Sequence, residues 1–268
     1  MNFVTLTTDW HKHDHYIGIL KGKLLQYKPQ CSIIDISHQI SPYDISETAY
    51  VLSSCYMLYP KGSVHIMAVN SELSTKRPLL VIDHNEHFFL CSDCGLPNLL
   101  FPETELRIYK VEYNPDKDGH SVDLFAKTAT GLLDDTKPES LGKQTDQYQK
   151  QIPFIPVIDE NEINSRVIYI DSYSNIITNV TKDLFERVRK GRDFKIFLQS
   201  NFYVVEEISK SYLDKPAGEI VALFNSSNNL EIAVIYGNAA NLLNISKGGN
   251  IRIQFLQKKA DEFKLSGN

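Results

Sequence analysis

The stretch Phe3-Val4-Thr5-Leu6-Thr7-Thr8-Asp9-Trp10 decides the fold class of this 268-residue chain. Its apolar part consists of strand-forming residues, and the run stops abruptly at two threonines and Asp9. From Tyr16 the pattern changes to a helical period, carried by Ile17, Leu20, Leu24 and Leu25. A carboxylate thus lies at the carboxyl end of a buried strand, where open α/β sheets bind ligands. A residue that only caps the turn would occupy the same position, so the spacing leaves both roles open.

Strands and helices alternate through the first half of the chain. The pattern predicts strands at 31–36, 63–69 and 107–113, a hairpin of 78–82 with 88–91, and helices at 41–59 and 121–133. Such alternation predicts an α/β layered domain, which we place at residues 1–150.

The composition changes at about residue 134. A polar run without apolar period continues to Gln151, and Pro153 and Pro156 follow, which is typical of a linker. Beyond it one helix is expected at 182–189, among short strands at 166–170, 176–180, 194–198, 202–208, 219–224, 230–234 and 251–255. These strands predict a smaller all-β domain, a barrel or a sandwich, at residues 159–268.

Composition and charge argue against several classes of function. The net charge is −5, and no Lys/Arg cluster resembles a phosphate-tracking patch, so we expect no nucleic-acid partner. No apolar run approaches the roughly 18–20 residues that cross a bilayer, and no signal-peptide pattern opens the chain, so no membrane association is expected. A single CxxC, Cys91 to Cys94, is weak evidence for zinc or redox chemistry. Reduced thiols and a cytoplasmic location are the expectation.

Polar residues concentrate in four places: Asp9 with Asp14 and Tyr16; Asn70 with Arg77; the turn 119–123; and 171–175, echoed by 225–227 and 237–240. Each also has a purely structural explanation as a turn, a helix cap or a solvated ion pair. The run His11-Lys12-His13-Asp14-His15 has ligand-type side chains. It straddles a turn, however, so a polar cavity rim is expected there and not a metal site.

Together these blocks resemble the S-adenosyl-L-methionine hydroxide adenosyltransferase family, relatives of the fluorinase and chlorinase enzymes. The matching blocks follow the family order and cover nearly the whole chain. They are Thr7-Thr8-Asp9-Trp10 with Asp14, Tyr16, Gly18, Lys21 and Gly22; 35–38 with Pro42 and Asp44; 169–171 with 175–179; and 225–226 with 230–234 and 237–240.

The resemblance implies an N-terminal α/β domain and a C-terminal β barrel. It also implies a homotrimer whose active sites lie between one subunit's N-terminal domain and a neighbour's C-terminal domain. The implied reaction is displacement of methionine from the 5′ carbon of S-adenosyl-L-methionine by hydroxide, giving adenosine and L-methionine. No metal and no cofactor is implied, since S-adenosyl-L-methionine is the substrate.

The resemblance assigns binding roles by position. Asp9 would accept from the ribose hydroxyls, and Asp171, with Tyr16, would bind the methionine ammonium. Asn175 would contact the adenine edge. The remaining implied contacts are Ser226 with the methionine carboxylate, the backbone of Asn238 and Ala239 with adenine, and Tyr43 as an aromatic against the ligand.

The catalytic positions depart from the family pattern. Arg77 and His120 match residues thought to orient water, but the accompanying aspartate is Asn70 here, and its loop has lost a proline and two glycines. An amide cannot take a proton, and loss of a general base costs on the order of 10²–10⁴ in rate. Hydrolysis is the main hypothesis. The alternatives are a catalytically weakened adenosine or S-adenosylmethionine binder, and a halogenase, since Ser121 lies where the fluorinase presents a serine.

Overall fold

The computed structural model describes residues 3–11, 14–102, 104–198 and 202–257. The chain divides into two compact units, Met1–Pro153 and Phe154–Asn268. No helix within the described ranges is both long and apolar enough to cross a membrane.

The first unit alternates strands and helices. Its elements are β1 Phe3–Thr8, α1 Tyr16–Tyr27, β2 Ser32–Ser37, α2 Ile45–Ser53, a 3₁₀ turn Tyr56–Leu58, β3 Val64–Ala68, β4 Leu79–His84, β5 His87–Ser92, α3 Leu96–Leu100, β6 Arg107–Val111, α4 Pro115–Asp118, α5 Ser121–Leu133, α6 Pro138–Leu141 and β7 Lys143–Gln144. The predicted hairpin, formed by β4 and β5, is confirmed.

The seven strands form one sheet in the order β2-β1-β3-β5-β4-β6-β7. β1 pairs in parallel with β2 on one side and with β3 on the other. The chain therefore leaves β1 towards one edge of the sheet, and leaves β3 towards the opposite edge. The carboxyl ends of two neighbouring parallel strands thus diverge, which opens a crevice for ligands.

Both faces of this sheet are buried. One face packs against α1 and α5, through residues such as Leu6, Leu24 and Phe125. The other packs against α2 and α3 and contains Leu52 and Phe89. Two covered faces explain why the strands read as nearly continuous apolar runs.

Two predictions in this unit were wrong in detail. The helix expected to reach Tyr59 ends at Ser53. The Ser53 and Ser54 hydroxyls donate to the Tyr50 carbonyl, and such local bonds compete with continuation of a helix. Part of the predicted linker belongs to the sheet, because β7 pairs with β6.

The second unit is built almost entirely of antiparallel strands. They are β8 Val157–Ile158, β9 Glu162–Ile170, β10 Ile176–Thr181, β11 Phe194–Leu198, β12 Tyr203–Val205, β13 Ile220–Phe224, β14 Asn229–Val234 and β15 Asn250–Phe255. The helical pieces are α7 Lys182–Arg189, a 3₁₀ turn Tyr212–Asp214 and α8 Ala239–Leu242.

These strands run in the order β12-β11-β15-β9-β10-β14-β13, with β8 beside β9. The end strands approach one another, since the Ser209 N–H beyond β12 donates to the Ala222 carbonyl in β13 at 2.8 Å. The sheet is therefore a nearly closed barrel, filled by apolar side chains such as Phe185, Ile196 and Ile253. The predicted α/β domain with a smaller all-β barrel is confirmed.

A buried polar chain crosses the α2 side of the first unit. The Thr5 hydroxyl lies 2.8 Å from His65 Nδ1, and His65 Nε2 lies 3.1 Å from His87 Nδ1. Burial lowers the pKa of His65 to about 3, and the neighbouring His87 adds to the effect. His65 is therefore neutral inside the fold across the physiological range.

The buried His65 makes the stability of the fold depend on pH. An unfolded histidine has a pKa of about 6.5, so below that pH the unfolded chain binds a proton that folded His65 rejects. The His65 contribution to stability is complete above pH about 6.5. It is lost as pH falls towards 3, by about 1.4 kcal/mol per pH unit. Urea denaturation between pH 7.5 and 4.5 measures the slope. His65→Leu should flatten it; equal slopes in the wild type and in His65→Leu would contradict the assignment.

Candidate functional site

The Asp9 carboxylate joins three segments at the carboxyl edge of the sheet. It directly follows β1, and its Oδ2 accepts the Tyr43 backbone N–H at 2.9 Å and the Asn70 N–H at 3.2 Å. Tyr43 precedes α2, and Asn70 lies just beyond β3. One carboxylate oxygen therefore holds the loops on either side of the β1 exit. Oδ1 accepts no hydrogen bond from the described residues.

These loops enclose a cavity of about 250 Å³, here named the N-terminal cavity. Trp10 and Tyr16 form an aromatic pair on its wall, with ring centroids 6.0 Å apart. Tyr43 is 72% exposed. The lining residues are Asp9, Trp10, Asp14, Tyr16, Pro42, Tyr43, Asn70, Ser71 and Glu72.

Two lining residues have strained backbones. Tyr43 has φ of 65° and Asn70 has φ of 48°, both in the left-handed region. Asparagine tolerates this conformation, whereas a tyrosine there is uncommon. Both backbone N–H groups point at Asp9 Oδ2, so the strain is held in place by the same carboxylate.

A chain of side chains lies behind the β1 exit. The Thr8 hydroxyl is 2.9 Å from His38 Nδ1, and His38 Nε2 is 3.1 Å from Asp35 Oδ1. Lys21 Nζ donates to Asp35 Oδ2 at 2.6 Å. Partial burial raises the Asp35 pKa, but the hydrogen bond from Lys21 and the nearby His38 ring together outweigh it and lower the pKa. Asp35 is thus ionised and helps to hold the residue before Asp9.

The predicted water-orienting residues do not all line this cavity. Asn70 lines it, whereas Arg77, His120 and Ser121 do not. The Ser121 hydroxyl is buried and accepts the Leu73 N–H at 3.0 Å, so the loop from 70 to 77 is fastened to the start of α5. His120 is exposed at that helix start. Arg77 is half-buried, close enough to Cys94 to oppose the rise that burial causes in the pKa of that thiol.

The second unit has its own cavity, of about 410 Å³, here named the C-terminal cavity. Aromatic and aliphatic side chains form most of its wall, which suits a flat apolar group. Its lining residues are Asp171, Tyr173, Asn175, Tyr212, Leu213, Ala233, Val234, Ile235, Tyr236 and Gly237.

Asp171 organises the loop at the mouth of this cavity. Its Oδ1 accepts the N–H groups of Tyr173 at 2.9 Å and Asn175 at 2.8 Å. Its Oδ2 accepts the Asn175 side-chain amide at 3.1 Å. The Ser174 carbonyl accepts the Ala240 N–H at 3.0 Å, which fastens this loop to α8. Asp171 and Asn175, which come from the same motif, therefore occupy one wall as a hydrogen-bonded pair.

The other predicted residues of this unit lie outside that lining. Ser226 is exposed on the turn between β13 and β14. Asn238 caps α8, its Oδ1 accepting the Asn241 N–H at 3.0 Å, and Ala239 is fully buried. Both follow directly after Gly237, which does line the cavity.

Sequence reasoning missed several wall residues. Trp10 belongs to the opening motif but had no predicted role, and Glu72 was not predicted as a site residue, although both line the N-terminal cavity. Tyr212 and Leu213 lie in a segment with no motif and no regular period, so no pattern indicated them. Within the described residues, no three His, Cys, Asp or Glu side chains converge as a metal site would require. Of the histidine run, Lys12 and His13 lie outside those residues.

Two family models match the chain. The SAM hydroxide adenosyltransferase N-terminal domain matches residues 4–142, and the corresponding C-terminal domain matches residues 165–252. Together they cover most of the sequence. This protein belongs to the SAM hydroxide adenosyltransferase family.

Curated relatives are similar over most of this chain. A protein of Methanocaldococcus jannaschii named (R)-S-adenosyl-L-methionine hydrolase is 30% identical, over 94% of this chain and 96% of its own. Proteins of the same name from Salinispora arenicola and Thermus thermophilus are each 24% identical over 94% of this chain.

Solved structures share the fold. An uncharacterized conserved protein from Thermotoga maritima superposes with a TM-score of 0.83 at 25% identity, covering 95% of this chain and all of its own. A conserved hypothetical protein from Thermus thermophilus gives a TM-score of 0.73 at 24% identity, over 96% of this chain and all of its own.

Two substitutions at Asp9 test how much its hydrogen bonds to the backbone contribute to stability. Asp9→Asn keeps a carbonyl oxygen that can accept both backbone N–H groups, so stability should stay within about 0.5 kcal/mol. Asp9→Ala removes the acceptor, and we expect the free energy of unfolding to fall by about 1–3 kcal/mol. Urea denaturation of the two variants measures the difference. Equal stability of both variants would show that the two hydrogen bonds contribute nothing net.

Proposed function

We propose that this enzyme hydrolyses S-adenosyl-L-methionine to adenosine and L-methionine. Its family membership, and the hydrolases that resemble it end to end, support this reaction. The structural observation that carries the proposal is the charge of the two cavities. Asp9, Asp14 and Glu72 line the N-terminal cavity and Asp171 lines the C-terminal one, and neither lining includes a lysine, arginine or histidine.

Such cavities suit a cation. S-adenosyl-L-methionine carries a sulfonium and an ammonium, and carboxylates in a partly desolvated cavity attract positive charge strongly. Hydrolysis removes the sulfonium charge: the C5′–S bond breaks as water forms the C5′–O bond, the sulfur leaves as a neutral thioether, adenosine is neutral, and the water's proton passes to solvent. The cavities therefore favour substrate over the nucleoside product.

The proposed reaction requires little acid–base catalysis. A sulfonium leaves without protonation, so no leaving-group acid is needed. Water, the 5′ carbon and sulfur must be held in line, and alignment of this kind supplies up to about 7–11 kcal/mol in ideal cases. Asp9 would hold the ribose hydroxyls through Oδ1, since Oδ2 already binds two backbone N–H groups. Asp171, with Tyr16, would bind the methionine ammonium.

The remaining roles follow the same assignment. Asn70, Arg77 and His120 would orient the attacking water. Asn175 would contact adenine through its carbonyl oxygen, since its amide N–H bonds to Asp171. The other proposed contacts are Tyr43, Ser121, Ser226, Asn238 and Ala239, and no metal or cofactor takes part.

Turnover and the amide at position 70 are tested together. Incubation with S-adenosyl-L-methionine should release adenosine and methionine in equal amounts, unchanged by added chloride. Asn70→Asp restores a carboxylate beside the proposed water, and we expect the rate to rise at least about tenfold. Chromatography of the nucleoside measures both. Ligand-induced thermal stabilisation without adenosine would favour a binding protein, and a chlorinated nucleoside would favour a halogenase.

We further propose a homotrimer acting in the cytoplasm, with each site built from the N-terminal unit of one subunit and the C-terminal unit of a neighbour. The described cysteines are all free thiols, as expected for a reducing compartment.

Subunit complementation tests the shared site. Asp9→Ala and Asp171→Ala should each be inactive, but co-expressed chains should regain activity, because some sites then combine an intact Asp9 with an intact Asp171. Adenosine release and the mass from light scattering are the measurements. Co-expression without any recovery in a mixed oligomer would contradict sites shared between subunits.

A further inference from the structure

Glu231 is a buried carboxylate that none of these roles uses. It lies in β14 and is 4% exposed. A buried carboxylate is unfavourable unless hydrogen bonds satisfy it. Two side chains from separate loops do so: the Tyr212 hydroxyl donates to Oε1, and the Asn225 amide donates to Oε2 at 3.1 Å.

The first donor belongs to the wall of the C-terminal cavity. Tyr212 and its neighbour Leu213 both line it, on a single 3₁₀ turn between β12 and β13. That turn is closed locally, since Asp214 accepts the backbone N–H groups of Lys210 and Ser211. A three-residue 3₁₀ turn has no series of backbone hydrogen bonds to a neighbouring strand that would hold it against the sheet. The bond to Glu231 ties this wall to the barrel.

The second donor shapes the neighbouring turn. Asn225 Oδ1 accepts the N–H groups of Ser227 at 3.0 Å and Asn229 at 3.1 Å, which forms the turn that carries Ser226. The same side chain donates its amide to Glu231. One carboxylate therefore couples the Tyr212 wall to the Ser226 turn.

We infer that Glu231 is a positioning residue for ligand binding: it holds Tyr212 against the C-terminal cavity and, through Asn225, orients the turn bearing Ser226. Glu231 is not among the residues that line the cavity, so it acts through these two partners. The inference rests on the proposed function for the identity of the ligand, a nucleoside-containing cation. It adds Tyr212 as a specificity-determining contact that no motif indicated.

Three substitutions distinguish an effect of the Tyr212–Glu231–Asn225 hydrogen bonds on ligand binding from an effect on folding. Tyr212→Phe removes one hydroxyl from a half-exposed ring. Glu231→Leu removes both acceptors and keeps an apolar side chain of similar size in the barrel. Glu231→Gln is the conservative variant, because its carbonyl accepts from Asn225 while its amide donates to the Tyr212 oxygen. Tyr203→Phe in β12, outside the cavity lining, is the matched control.

We expect the KM for S-adenosyl-L-methionine to rise at least about tenfold in Glu231→Leu and about threefold or more in Tyr212→Phe, with kcat within about twofold. The dissociation constant of adenosine, measured by calorimetry, should rise in parallel. Glu231→Gln should restore most of the affinity, and Tyr203→Phe should match the wild type. Because Glu231 acts partly through Tyr212, the double variant Tyr212→Phe/Glu231→Leu should bind no more weakly than Glu231→Leu alone.

Two outcomes are decisive. In the first, Glu231→Leu has a lower melting temperature, but KM and adenosine affinity are unchanged in both Glu231→Leu and Tyr212→Phe. Glu231 would then be purely structural, and the inference would be overturned. If the wild type binds S-adenosyl-L-methionine without turnover and the variants weaken that binding in the same order, the hydrolase proposal fails while the positioning role stands.

Discussion

The hydrogen bonds from the Tyr43 and Asn70 backbones to Asp9 Oδ2 are the constraint on which the N-terminal site depends. The connections that follow β1 and β3 diverge because one leads to β2 on one side of the sheet and the other leads to β4 on the opposite side, and this divergence opens a crevice. A single carboxylate oxygen links the two flanking loops by binding the backbone N–H groups of Tyr43 and Asn70, each of which has a left-handed conformation. The other oxygen accepts no hydrogen bond from the described residues, and Asp9 lines the cavity, so the same side chain shapes the cavity and supplies part of its charge.

Charge is distributed differently in the core and in the cavities. His65 is buried with a pKa of about 3 and therefore stays neutral, as an apolar interior requires. The cavities instead gather carboxylates without a basic partner in their linings. That arrangement suits a sulfonium substrate, which needs electrostatic attraction and alignment more than proton transfer. Asn70, an amide that cannot take a proton, is compatible with such chemistry.

Each cavity wall is held from behind by residues that do not line it. The Thr8–His38–Asp35 chain supports the β1 exit, and Ser121 fastens the loop after Asn70 to α5. In the barrel, Glu231 supports Tyr212 in the same manner. Rigid strands and helices thereby fix the positions of loops that have little regular structure. Catalysis by alignment of the reacting groups requires such accurate placement.

Local pattern was enough to predict the α/β layered domain, the barrel strands and α5, because helical and strand periods record which face is buried. Motif resemblance also indicated Asp9, Asp171 and Asn175. The early end of α2, the pairing of β7 and the wall formed by Tyr212 emerged only from the folded chain. The physical reason is that a period reports only which side of one segment is buried. The serine hydroxyls that bond back to Tyr50 at the end of α2 leave that period unchanged. An edge strand or a cavity wall depends on contacts between segments far apart in sequence.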